Sequence, residues 1–340
     1  MQVSRYRRAF VALPLAALFI GFTSVSDAAA QAPRKKPTAA QTRQARARAA
    51  ARARAAAVAR IEQEARTARF RHDLLGNLVP EVRAASAIIY NPKTGDVLWG
   101  QNQHDQRPIA SLTKVMTAVT FMADEPDLDK QAVVAAADVR NASVTYLRTG
   151  DRITYRDLLH LALIPSDNGA ARVLARTSEG GTAAFVDRMN EMARTLGLTN
   201  TRYADPSGLD AHNVSSAYDI SHLMAFAGAD EKLAPIMRMQ SAEVRTQRGP
   251  LTIKSTNKLL GTEGVDVLGG KTGFIRAAGY CLATLLQVPQ NGAQVAVVIL
   301  GATNSTVRFW DVRHLFNWFV GRPNGVVGGF EYEEELFQLQ

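Results

Sequence analysis

Apolar residues change their spacing twice along this chain, and the changes mark out its elements. Ser86-Ala-Ile-Ile-Tyr90 and Val97-Leu-Trp-Gly100 are short apolar runs around Asn91-Pro92-Lys93-Thr94-Gly95-Asp96, a turn composition. They predict a β-hairpin in a globular region that begins near Val82. Helical spacing follows. Ser111 to Met122 reads as a helix starting just after Pro108, and Thr154-x-x-Asp157 is a capping box for a helix that Pro165 stops. Further helical patterns run over about 168–178 and 183–196, and Ser216-x-x-Asp219 caps one more that reaches about Ala227. After Gly264 the texture returns to strands: Val265–Gly270, Tyr280–Val288 and Gln294–Leu300, rich in Val, Leu and Ile. An amphipathic helix over Ser305–Val320 closes the pattern. The order predicts an α+β fold, in which an antiparallel sheet is flanked by helices and an all-helical subdomain is inserted between its first and later strands.

The first thirty residues have a different design. Arg5, Arg7 and Arg8 precede a thirteen-residue apolar run, Phe10 to Phe22, too short to span a bilayer comfortably. Ala28-Ala29-Ala30 then supplies small residues for cleavage before Gln31. An exported, periplasmic protein is expected, with a retained membrane anchor as the alternative. Residues 31–81 read as an Ala/Arg-rich basic linker. Ala and Arg are strong helix formers, so 43–72 is expected to be helical. Its arginines fall all around the axis and leave no apolar stripe. A solvated spacer is one reading, and an electrostatic contact with anionic envelope polymers or lipid head groups is the other. Residues 322–340, with Glu331-Tyr-Glu-Glu-Glu335, form a short C-terminal tail.

Charge changes meaning once it is located. The whole chain of 340 residues carries a net charge of +9 with a pI near 9.8, which would suggest nucleic acid or an anionic membrane. Residues 31–72 hold twelve Lys/Arg against Glu62 and Glu64, whereas 73–340 holds 25 basic and 28 acidic residues. The folded body is therefore mildly acidic, and nucleic acid is not an expected partner. One cysteine, Cys281, excludes an intrachain disulfide framework and reads as a core thiol. No His-Glu-x-x-His or comparable ligand cluster appears, and neither a metal nor a cofactor is expected. His160 and His222 sit in helical patterns as surface or packed residues.

Three short motifs carry chemistry. Ser111-Leu112-Thr113-Lys114 places a hydroxyl and an amine at i and i+3, on one helix face and at the helix N-terminus. A serine becomes nucleophilic when a neighbour takes its proton, and a lysine does so when burial or a nearby cation keeps it neutral. Alone, such a serine is more often an N-cap. Ser255-Thr256-Asn257-Lys258 fits the same pattern and is read as a decoy. Ser166-Asp167-Asn168 follows Pro165 in a loop between helices, where a hydroxyl and a carboxamide can face one cleft. Ser166 as a simple helix cap is the bland alternative. Lys271-Thr272-Gly273 ends an apolar strand: a cation and a hydroxyl for a substrate carboxylate, and a glycine that lets an extended ligand lie close. The three occur in order, 55 and 105 residues apart, and as a set they are the combination of penicillin-binding proteins and class A β-lactamases.

From about Ser86 to Val320 the chain resembles the low-molecular-mass penicillin-binding proteins, the serine D-alanyl-D-alanine carboxypeptidase/endopeptidase family. Similar stretches include Ile109 to Thr117, Asn200 to Asp210, Gly269 to Phe274 and Ala278 to Leu282. The resemblance implies a β-lactamase/DD-peptidase-like fold, peptidoglycan as substrate and β-lactams as covalent inhibitors. It implies Ser111 as the acylated nucleophile, Lys114 as its base and Ser166 as the relay to the leaving amine. Asn168 would orient the peptide, Lys271 and Thr272 would hold the carboxylate of the substrate's terminal D-residue, and Gly273 would let the ligand lie close to the strand. The backbone N–H groups of Ser111 and Phe274 would form the oxyanion hole.

Two departures from the familiar pattern refine the expectation. The twenty or so residues after the last helix do not fit a C-terminal β-rich domain with an amphipathic anchor, which resembles the shorter endopeptidase members. Both the D-Ala-D-Ala and the D-alanyl–diaminopimelate bonds leave a free carboxylate on the leaving residue, so the Lys271 motif does not separate them. Class A β-lactamases add a Glu-x-x-Leu-Asn segment, and residues 195–210 lack that glutamate, so slow β-lactam turnover is expected. A β-lactamase and a catalytically inert wall-binding homologue are the competing readings.

Overall fold

The computed structural model describes residues 38–321. The signal-like segment and the C-terminal tail lie outside these residues. The chain divides into two units at Arg54/Ala55. In the first, the described residues are the beginning of the Ala39–Arg66 helix, with its arginines exposed. The second holds the fold that carries the site.

Five strands form one antiparallel sheet in the order Asp266–Ile275, Gly279–Gln287, Gln294–Ala302, Ser86–Tyr90, Val97–Gln101. The first hairpin thus joins the edge of the later three-stranded meander, through pairs such as Val298 with Ile88. Between the two lie the helices Thr113–Ala123, Tyr155–Leu163, Asn168–Thr177, Gly181–Thr195 and Ala217–Ala229, the inserted lobe the pattern predicted. Strand alternation sorts side chains into two cores. Ile88, Ala296, Val298 and Leu300 face the helical lobe, and Ile89, Val295, Val297 and Ile299 face the Ser305–Val320 helix on the other side. A sheet covered on both faces needs apolar residues at consecutive positions, which is why these strands read as unbroken apolar runs.

Two caps are half of the box that the sequence suggested. Thr154 and Ser216 accept from the N–H groups of Asp157 and Asp219. The two carboxylates turn elsewhere, Asp157 to the N–H of Arg245 and Asp219 to Asn200 and Thr201. Tertiary partners outcompete the local return bond.

The packed region begins before Val82. Ala65 and Val79 are buried in the same cluster as Val82 and Phe316, and Ala65's carbonyl accepts from His314 Nε2 at 2.9 Å. The helix ends at Arg66, and a hairpin of Phe70–His72 with Leu78–Pro80 follows, where helix was expected to continue to 72. Asp73 and Gly76 at the turn explain the switch: Asp73 Oδ1 accepts from the N–H groups of Leu75 and Asn77, and Gly76 takes φ +81°.

Candidate active site

The three motifs converge where the helical lobe meets the edge strand Asp266–Ile275. Ser111 is not in the first turn of the α-helix, as expected, but in a 3-10 turn, Ala110–Leu112, that leads into Thr113–Ala123. The preceding Ala110 is left-handed (φ +50°), a costly conformation for a residue with a Cβ. Two glycines hold that turn from opposite sides. A Cβ on Gly208 would fall 2.0 Å from Ala110 O, and one on Gly273 would fall 2.8 Å from Ile109 O and 3.1 Å from Ser111 N. The Ser111 peptide is therefore clamped between backbone and backbone, where no side-chain motion relieves a clash.

Lys114 is fully buried, and its Nζ has three polar neighbours: Ser111 Oγ at 2.9 Å, Asn168 Oδ1 at 2.6 Å and Ser207 O at 2.5 Å. Burial pulls the amine down from 10.5 to about 7, against the opposing fields of Asp205 and Asp167. Near neutrality a substantial fraction is NH2, which has two N–H donors and one lone pair. Asn168 Nδ2 donates to Ala142 O at 2.7 Å, fixing the amide so that its carbonyl faces the lysine. Both N–H bonds are then used on carbonyls, and the lone pair is left for the Ser111 hydroxyl. In this geometry the amine is able to take the hydroxyl proton.

Ser166 also adopts left-handed backbone (φ +68°), and its Oγ accepts from Lys271 Nζ at 2.7 Å. It does not cap the next helix. Asp167 does, accepting from Ala170 N at 2.9 Å and from Tyr146 N. Lys271, also buried, has its Nζ 3.0 Å from Thr272 O. Burial, then the cations of Lys114 and Arg308, push its amine well below the ordinary lysine value. Lys271-Thr272-Gly273 lies inside the strand rather than at its end, as the apolar run alone had suggested. The strand continues through Phe274 and Ile275, pairing with Tyr280 and Gly279. Thr272's carbonyl is engaged on the cleft side, and alternate residues of an edge strand present their amides to the same side, so the N–H of Phe274 faces the cleft. Ser111 N lies beside Gly273 across that cleft. The Phe274 ring is half exposed and stacks on Tyr280, centroids 4.2 Å apart.

Three contributors were missed or misjudged in the sequence. In the 255–258 segment Ser255 Oγ accepts from the Asn257 N–H, and the segment is not irrelevant: Thr256 Oγ1 lies 2.5 Å from Thr272 Oγ1, and the Thr256 N–H bonds Ile164 O. The 205–210 loop supplies the Ser207 carbonyl to Lys114 and the Pro206 carbonyl to Thr117. Asp205 organises it, with Oδ1 accepting from Ser207 Oγ and Gly208 N and Oδ2 from Asp210 N and Asn213 Nδ2. Arg308, on the terminal helix, donates to the carbonyls of Gly273 and Cys281 at 3.0 and 3.1 Å, behind the cleft strand. Cys281 itself is buried, and burial raises its thiol to about 11, so it is an inert core residue. His222 is packed between Tyr90 and Tyr218.

A serine hydroxyl 2.9 Å from one buried amine, with a second serine bonded to a second buried amine, is an arrangement able to support acyl transfer. The D-alanyl-D-alanine carboxypeptidase family model matches residues 75–304. A D-alanyl-D-alanine endopeptidase of Pseudomonas aeruginosa is 34% identical over 77% of this chain and 84% of its own. The Escherichia coli endopeptidase of the same name is 33% identical, covering 70% and 78%. The Escherichia coli D-alanyl-D-alanine carboxypeptidase DacD is 32% identical, covering 70% and 63%. Among solved structures, a D-alanyl-D-alanine carboxypeptidase of Mycobacterium tuberculosis superposes with a TM-score of 0.67 at 30% identity, covering 74% of this chain and 97% of that one. The chain belongs to the D-alanyl-D-alanine carboxypeptidase family of S11 peptidases, and it is a serine-type DD-peptidase.

Proposed function

We propose that this protein cleaves peptidoglycan stem peptides through an acyl-enzyme on Ser111, with D-alanyl–diaminopimelate cross-links as its main substrate. The observation that carries the mechanism is the 2.9 Å contact between the buried Lys114 Nζ and Ser111 Oγ. Lys114 takes the hydroxyl proton as Oγ attacks the D-alanyl carbonyl. The N–H groups of Ser111 and Phe274 stabilise the developing oxyanion. The proton then passes through Ser166 to the leaving amine, with Lys271 and the Thr272 hydroxyl holding that residue's carboxylate. Asn168 orients the acyl peptide, and Gly273 leaves room for it beside the strand. Water releases the acyl group. A β-lactam offers the same carbonyl and would acylate the same serine.

The endopeptidase preference is supported by the named endopeptidases of Pseudomonas aeruginosa and Escherichia coli, at 34% and 33% identity. Slow β-lactam turnover follows from the 205–210 loop. Asp205 is committed to that loop, and Asp167 to the helix cap and the Tyr146 N–H, so neither carboxylate is free to activate a deacylating water at Ser111. The N-terminal segment supports export to the periplasm, where its substrate lies; N-terminal sequencing of the mature protein would then begin at Gln31.

Digestion of purified peptidoglycan with mass analysis of the fragments tests the assignment. Conversion of cross-linked dimers to monomers, abolished by Ser111→Ala, is expected. Loss of terminal D-Ala from pentapeptides without dimer cleavage would make it a carboxypeptidase, and no cleavage of either would favour the inert homologue.

A further inference from the structure

The hairpin before the catalytic domain has an unusual surface. Its turn is tightly built: Asp73 N bonds Asn77 O, Gly76 N bonds Asp73 O, Asp73 Oδ2 accepts from Asn77 Nδ2 and His72 Nδ1 lies 2.9 Å from Gly76 O. That scaffold holds two leucines straight out, Leu74 at 106% and Leu75 at 85% of full exposure. Phe70 and Leu78 are also exposed. Phe70 pairs with Pro80 and Leu78 with His72, so Phe70 and Leu78 lie on one face of the hairpin and extend the apolar tip along it. The opposite face carries Val79, buried against the domain. Arg71 lies on that opposite face, Arg69 pairs with Glu81 at 3.0 Å, Arg66 lies over the Trp310 ring, and the exposed Arg60 precedes them on the helix that leads into the hairpin.

We propose that this hairpin docks on a bilayer surface carrying anionic head groups, with Leu74 and Leu75 entering the acyl boundary and Arg71 beside them meeting a phosphate. Exposed apolar side chains on a rigid tip, in a segment preceded by an arginine-rich helix, are what an interfacial contact requires. A wall polymer would be read by the arginines alone and leaves the leucines unexplained. A protein partner needs roughly 1,000 Å² of interface, far more than four side chains on a two-stranded ribbon provide. No described helix is long and apolar enough to cross a membrane, so this contact would be peripheral. It would hold the peptidase at the membrane face.

The test uses the full-length chain with an environment-sensitive NBD label on Leu74→Cys. Cys281 is buried with a raised thiol, so position 74 takes the label selectively. The probe is a vesicle of equal phosphatidylglycerol and phosphatidylcholine, compared with phosphatidylcholine alone. A several-fold rise and blue shift of NBD emission on the anionic vesicles is expected. Adding Leu75→Glu and Leu78→Glu should raise the lipid needed by roughly tenfold or more, with fluorescent-penicillin labelling unchanged. NBD emission that stays aqueous while the protein sediments with the vesicles would overturn the proposal, because some other segment then holds the lipid. The same emission change on soluble peptidoglycan fragments, or on restoring residues 322–340 to a chain truncated at 321, would overturn it in favour of the wall polymer or the acidic tail.

Discussion

Lys114 Nζ reaches Ser111 Oγ at 2.9 Å only because Asn168 and Ser207 hold the amine from the other side, each through a carbonyl oxygen. The motif supplies the two residues one helical turn apart. The carbonyls decide which way the lone pair points.

Acylation should therefore depend on the titration of this amine. With Lys114 pulled to about 7 by burial, the rate of acylation should climb with pH through that value on its acidic limb. Lys114→Arg, whose guanidinium stays charged, should lose about 10²–10⁴ in kcat/KM and that limb with it. Stopped-flow acylation between pH 5.5 and 9 measures both.

The same shift has a stability signature. The unfolded chain carries Lys114 protonated up to 10.5, while the folded chain releases the proton near 7. Below about 7 both states are charged and the burial penalty is complete; between the two values it is relieved as pH rises. Relative to Lys114→Met, the wild type should gain stability by up to about 1.4 kcal/mol per pH unit from 7 to 10. Urea denaturation of both proteins across that range checks the slope.

Gly208 is the most sensitive position that lacks a functional side chain. An alanine there would combine left-handed strain (φ +81°) with a Cβ 2.0 Å from Ala110 O. Penicillin acylation should fall at least a hundredfold, with roughly 2–4 kcal/mol of destabilisation. Gly95→Ala carries the strain alone, since its nearest neighbour is Tyr90 Oη at 3.9 Å, and should acylate at the wild-type rate.

Thr256 acts through Thr272. Removing its hydroxyl in Thr256→Val frees the Thr272 hydroxyl to rotate, and kcat/KM for a D-alanyl peptide should fall about three- to tenfold. The loss should sit mainly in KM, and Thr256→Ser should restore it.

Much of this was readable in the chain. The Ser305–Val320 helix, capped by Asn304 through the N–H groups of Thr306 and Val307, has the bounds its pattern predicted. Ser111, Lys114, Ser166, Asn168, Lys271, Thr272, Gly273 and Phe274 do meet at one cleft, because each motif sits at an element boundary or on an edge strand. What was not readable is backbone. The Ser207 carbonyl has no side-chain signature, and Ala110's left-handed turn occurs without the glycine that would announce it. Thr256 looked like coincidence because only the folded chain brings 256 beside 272. Arg308 read as one polar position of an amphipathic helix, since its carbonyl partners belong to strands pairing 27 and 35 residues away. The 70–80 hairpin escaped because its strands are three residues long, too short for a periodicity.

The most direct test of the account is to treat purified protein with benzylpenicillin and locate the adduct by peptide mapping. One penicilloyl group on the peptide containing Ser111, persisting for many minutes and absent in Ser111→Ala, is the predicted result. An adduct on another serine, or one that forms equally on Ser111→Ala, would contradict it.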